Sequence, residues 1–270
     1  MTQTVREAAV AGRFYPAEAE RLRADLDACL QDQAERQRVI ACLVPHAGYM
    51  YSGAVAGAVF SRIDVPPSTI VLGPNHTGRG HPLAIMKTGG WRTPLGSVAI
   101  DSGLAQELLH RFPALAEDSA AHRFEHAIEV ELPFLQARRQ DVKFVPIAMG
   151  TGQLILVEQL GQAIAEVLAN RRNEVLIVAS SDLNHYEDDR TTRIKDRKAI
   201  EKILALDGVG LHRTVIDESI SMCGFAPAVT MLTAASLLGA HKSELVRYAT
   251  SAEASGDYST VVGYAGILIK

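Results

Sequence analysis

Short apolar runs, many of them β-branched, alternate with longer stretches of helical periodicity over the whole length of the chain. No other feature restricts the fold as strongly. Residues 38–44 (RVIACLV), 68–72 (STIVL), 143–148 (KFVPIA) and 174–179 (EVLIVA) read as buried strands, because a strand covered on both faces shows an apolar run rather than alternation. Residues 83–86 and 97–100 read as short strands around a turn-rich middle, and residues 245–250 and 259–269 as an antiparallel pair at one end of the sheet. Pro16 opens a helix over residues 17–36. Further helices are expected over residues 54–63, 102–111, 126–138, 153–170, 190–206 and 226–238. Strands alternating with helices imply an α/β sandwich, a central mixed and largely parallel sheet flanked by helices. No Pro/Gly/Ser-rich linker divides the chain, so residues 1–270 are expected to form one domain.

Composition narrows the function classes. At 47% hydrophobic and 21% charged residues, 270 residues can bury a large core unaided. The net charge of −4 argues against a nucleic-acid partner. No apolar run of about 18 residues predicts a membrane span, and the N-terminal segment lacks the apolar core of a signal peptide. Cys29, Cys42 and Cys223 are odd in number and scattered, which excludes a disulfide framework and leads us to expect a reducing, cytoplasmic setting. There is no GxGxxG after a strand, no GxxxxGK[ST], no GxSxG and no HExxH.

The chemistry is expected where strands end, since open α/β sheets bind ligands beyond the carboxyl ends of their strands. Three expected strands run into polar loops that carry a histidine: Pro45-His46-Ala47-Gly48-Tyr49, Pro74-Asn75-His76-Thr77-Gly78 and Ser181-Asp182-Leu183-Asn184-His185. One such histidine is ordinarily a surface residue. Three in the same relation to three strands point to a shared site, and neutral imidazole is the commonest transition-metal ligand. Cys223 precedes an apolar helix, where the helix N-terminus is expected to lower a thiol's pKa. His126 and Glu129 stand three apart in a segment of helical spacing, as in helical metal sites, although the same pattern also arises from capping and a solvated face. Glu131 is expected on the solvated face. Tyr49 follows His46 and is expected to line the pocket.

Six motifs in order, PHAGYMYSG, LGPNHTG, WRTPLG, EHAIEVELPFLQ, SSDLNHY and MCGFAPA, together resemble the Memo family. The opening VREAAVAGRFYP and the closing YSTVVGYAGILI resemble that family's two ends, so the likeness spans essentially the whole chain. The Memo family is similar in fold to the class III extradiol dioxygenases, non-haem iron enzymes. The resemblance implies a metal site at the end of the sheet, with His46, His76 and Cys223 as ligands and His185, with Asp182 beside it, as the acid/base. His126, Glu129, Tyr49 and Asn75 are then expected to line the pocket. A thiolate where the dioxygenases use a carboxylate leaves Fe(II) the first expectation and makes Zn(II) or copper chemically suitable. Three functions follow: a metal-dependent oxidoreductase or dioxygenase acting on a small oxygen-bearing substrate, a catalytically silent protein binding a metal or peptide, or a zinc hydrolase. The resemblance also implies a functional association with a radical-SAM protein.

Overall fold

The computed structural model describes residues 5–30, 34–171 and 174–270. In chain order the elements are β1 (Val5–Arg6), α1 (Ala19–Cys29), β2 (Ala41–Val44), α2 (Tyr49–Phe60), β3 (Ser68–Pro74), β4 (Leu83–Ile85), β5 (Gly90–Thr93), β6 (Gly96–Ile100), α3 (Ser102–Arg111) and β7 (Ala116–Glu117). A 3-10 turn (Glu129–Glu131) then leads into α4 (Leu132–Arg138), β8 (Lys143–Met149), α5 (Leu154–Leu168), β9 (Val175–Ser180) and β10 (His185–Glu187). The remainder is α6 (Asp189–Leu204), α7 (Gly208–Asp217), α8 (Phe225–Leu237), β11 (Ser243–Thr250), α9 (Ala252–Ser255) and β12 (Val261–Ile269).

One sheet runs in the order β1-β5-β6-β8-β3-β9-β2-β12-β10. Its middle, from β6 to β2, is parallel throughout. Antiparallel pairs flank that middle: β5 with β6 on one side, and β12 with β2, β11 and β10 on the other. β2, β3 and β9 are buried at every position, which is why each appears in the sequence as an unbroken apolar run. The fold is thus the expected α/β arrangement, with a mixed, mostly parallel sheet flanked by helices.

Helix boundaries depart from expectation where periodicity is silent. α2 begins at Tyr49, five residues before the expected start at 54, because the helix is apolar on nearly all sides and has no polar face to mark a period. Close approach adds a second constraint there: a Cβ on Gly57 would lie 2.3 Å from the Cys29 carbonyl oxygen of α1. α1 ends at Cys29, with Leu30 extended and residues 34–36 non-helical. The part of the expected helix at residues 31–33 lies outside the described residues. The expected helix over 126–138 is two pieces, the 3-10 turn and α4, with His126 in the preceding loop. Pro133 falls in the first turn of α4, where its missing N–H costs nothing. Among the described residues no helix is long and apolar enough to cross a membrane.

Candidate metal centre

The strand order brings the chemistry together. β3, β9 and β2 are consecutive parallel neighbours, so the residues just past their ends emerge side by side. His46 follows β2, His76 follows β3, and Ser180 and Asp182 close β9 between them. The His46 and His76 rings lie 5.2 Å apart, centroid to centroid, nearly perpendicular at 76°. Cys223 reaches the same point from the loop before α8, with Sγ 3.3 Å from His46 Nε2. One ligand atom each from His46, His76 and Cys223 lies within 4.8 Å of the others. The loop can approach so closely because residue 224 is glycine: a Cβ there would meet the Ser180 carbonyl oxygen and the Ser181 Cβ at 2.5 Å. His46 is 1% exposed, whereas the His76 side chain remains 34% exposed, so the group faces solvent on its His76 side.

Each imidazole is held from behind. His46 Nδ1 lies 2.8 Å from Ser180 Oγ. The His46 backbone N–H donates to Asp182 Oδ1 at 2.9 Å. His76 Nδ1 lies 2.9 Å from Glu125 Oε1, and the His76 backbone N–H donates to the other oxygen of the same carboxylate at 2.5 Å. Glu125 also accepts from the backbone N–H groups of His126 and Ala127, at 2.8 and 3.0 Å. With both Nδ1 atoms engaged, Nε2 is the nitrogen that each ring has left to offer a ligand, and His46 Nε2 faces Cys223 Sγ. Burial lowers the His46 pKa to about 3, helped by the neighbouring His76, so this imidazole is a neutral donor at pH 7. Burial works the same way on His126, to about 4. For His76 burial acts downward, but the hydrogen bond and charge of Glu125 outweigh it and the pKa rises. The same contact carries Glu125 down to about 2 against its own desolvation.

A family model described as Memo-like protein matches residues 6–268. The chain belongs to the Memo family. It is 41% identical to a MEMO1 family protein of Methanopyrus kandleri, over 98% of this chain and 99% of the relative. It is 40% identical to a MEMO1 family protein of Aquifex aeolicus, over 98% of each. An uncharacterized Escherichia coli K12 protein of known crystal structure shares the fold, with a TM-score of 0.57 at 14% identity, covering 84% of this chain and 98% of that one.

In this Memo-family chain the residues singled out from the sequence divide into those at the cluster and those that serve elsewhere. His46, His76 and Cys223 meet. His126 joins them, its ring stacked on His76 at 4.7 Å and 19° and edge-on to His46 at 5.4 Å. His185, on β10, bears electrostatically on His46 and Asp182, and its Nδ1 lies 2.8 Å from the Ser221 carbonyl oxygen. Asp182 is buried and committed to the His46 backbone, and burial raises its carboxyl pKa against the opposing pull of His185 and that hydrogen bond.

Five expectations are corrected. Glu129 lies on the 3-10 turn with its carboxylate turned to the N-terminal segment, where it pairs with Arg6 at 2.6 Å and accepts from Ala9 N, Val10 N and the Tyr15 hydroxyl. Tyr49 points into the core against Tyr15 and Phe134, and its hydroxyl donates to the Val130 carbonyl. Asn75 serves its own loop: Oδ1 accepts from Thr77 N–H and hydroxyl, and Nδ2 donates to the Arg79 carbonyl. The Cys223 pKa is raised, not lowered, because desolvation and the nearby Asp182 charge outweigh the helix terminus. Sequence reasoning missed Glu125, although it stands next to His126 in the EHAIE motif. Glu131, expected on a solvated face, is fully buried.

Proposed function

We propose that this Memo-family protein is a metal-dependent oxidoreductase acting on a small oxygen-bearing substrate, its ion held by His46 Nε2, His76 Nε2 and Cys223 Sγ. One observation carries the reading: two imidazoles whose Nδ1 atoms are each taken from behind, with Cys223 Sγ 3.3 Å from His46 Nε2 and one ligand atom of each of the three residues within 4.8 Å of the others. Two borderline nitrogens and one soft sulfur fit Fe(II), Zn(II) or copper and not the hard cations magnesium and calcium. Fe(II) is our first assignment. When bound, such an ion supplies Lewis-acid and redox chemistry with coordination positions left open. His185 holds Nδ1 against the Ser221 carbonyl, which leaves its Nε2 to accept a proton from a substrate hydroxyl and return it. Asp182 orients the His46 backbone.

Elemental analysis of protein purified without added metal tests the assignment. His46→Ala and Cys223→Ala are each expected to lose the bound ion, and unchanged metal content in both would overturn it. His185→Ala is expected to keep the ion and lose turnover of the catechols that support oxygen uptake by the wild type. A binding-only function is the second reading, favoured by the thiol at the place of a carboxylate, because sulfur beside an oxygen-activating ion is open to oxidation. Sustained oxygen uptake with any catechol excludes it.

A further inference from the structure

Ser180 closes β9 behind His46, and its hydroxyl oxygen is a junction of three partners. His46 Nδ1 lies at 2.8 Å, the Ala127 carbonyl oxygen at 2.7 Å and Glu131 Oε1 at 2.9 Å. A serine hydroxyl has one proton to donate and two lone pairs to receive. The Ala127 carbonyl can only accept, so it takes the proton of Ser180. The other two partners must then donate. His46 can do so as the Nδ1–H tautomer. An ionised carboxylate cannot donate at all, so Glu131 completes the junction only as the acid, with its proton on Oε1.

The surroundings of Glu131 agree with the acid. The residue is 0% exposed and, among the described residues, its Oε2 has no hydrogen-bond partner. An ionised carboxylate in that position would leave a buried charge with one of its two oxygens unpartnered, which is strongly unfavourable. Burial pushes the Glu131 pKa well above the usual range against the Ser180 hydrogen bond, and the neighbouring carboxylate of Asp182 adds to the rise.

We propose that Glu131 is a neutral carboxylic acid that positions His46 through Ser180, filling the third direction of the serine hydroxyl so that the imidazole proton stays on Nδ1. With all three directions used, the hydroxyl cannot rotate to offer its proton to His46 Nδ1. That rotation would move the ring proton to Nε2, where it would face Cys223 and block the lone pair. Glu131 is therefore a positioning residue that acts by a hydrogen bond and not by charge. The protonation state stands on the geometry alone. Its consequence for a bound ion rests on the reading of the site given above.

The test begins with metal-free protein at neutral pH. Infrared difference spectra between wild type and Glu131→Gln are expected to show loss of a protonated-carboxyl carbonyl band. Nitrogen-15 spectra of the His46 ring are expected to show Nδ1 protonated and Nε2 bare in the wild type. Glu131→Gln, whose amide can donate to Ser180 in the same way, should retain that tautomer and bind Co(II) within about threefold of wild type. Glu131→Leu should give a tautomer mixture and bind Co(II) on the order of tenfold more weakly. A carboxylate band in place of the acid band overturns the proposal, and so does a Glu131→Gln variant as impaired as Glu131→Leu. If Glu131→Leu does not fold, the infrared band and the glutamine variant decide. If the wild type binds no Co(II), the function proposed above fails, while the band and the tautomer still judge this inference.

Discussion

Glu125 shows how one side chain can organise a cluster from behind. Its two oxygens hold the His76 ring, the His76 backbone and the turn that carries His126. Glu125→Gln keeps the shape and removes the charge. Because Glu125 is what raises the His76 pKa, His76 is expected to titrate at lower pH in this variant, measured by proton NMR of the ring. Metal affinity should fall by about 10–100-fold in a competition titration. Gly224 is the second sensitive position. Its hydrogen is the only substituent that fits against Ser180 and Ser181, so Gly224→Ala must push the Cys223 loop away from β9. We expect about 1–3 kcal/mol lower stability in chemical denaturation and a weaker site. Wild-type values for both would mean that the loop yields without cost.

At the scale of elements, the N-terminal strap and α6 are each tied down by one buried carboxylate. β1 and the turn after it are held by Glu129, which pairs with Arg6 while Arg6 lies 4.0 Å over the Trp91 ring. Glu129→Ala leaves the Arg6 charge buried and unpaired, and denaturation should register a loss of about 3–5 kcal/mol. Asp196 joins α6 to β11 and to the loop before β10, accepting from the Tyr248 hydroxyl and from Asn184 N–H. Asn184 in turn accepts from Ser221, which holds His185. Burial raises the Asp196 pKa from 3.8 to about 7, against both of those hydrogen bonds. The folded state therefore holds this proton more tightly than the unfolded chain does. The contribution is complete below about pH 4 and declines as pH rises to about 7. Asp196→Asn keeps an acceptor for Asn184 and removes that decline. It should be more stable than wild type at pH 8 by on the order of 1–3 kcal/mol, with the difference shrinking toward pH 4. Parallel denaturation curves across that range would show that Asp196 does not titrate there.

At the scale of the whole molecule, the site exists because three strands distant in the chain are neighbours in the sheet. An ion bound across their ends ties β2, β3 and the loop before α8 together. Fe(II) or Zn(II) at about 100 times its dissociation constant should raise the unfolding free energy by about 2.7 kcal/mol in the wild type and leave Cys223→Ala unchanged. Equal stabilisation of both would place the ion elsewhere. Much of this architecture is legible in the sequence. Buried parallel strands appear as apolar runs, α3 over residues 102–111 coincides with its amphipathic pattern, and the turn-rich ends of β2, β3 and β9 mark where His46, His76 and Asp182 gather. α2 is less legible because a helix buried on all sides has no period. The partners of the site residues are not legible at all. Local pattern placed Glu129 near His126 and Glu131 in water, while the fold turns the first to Arg6, buries the second under Ser180 and gives His76 to Glu125. Periodicity and turn chemistry act over a few residues. The contacts that make the centre join positions 49, 134 and 177 residues apart, and only the order of strands in the sheet determines which of them meet.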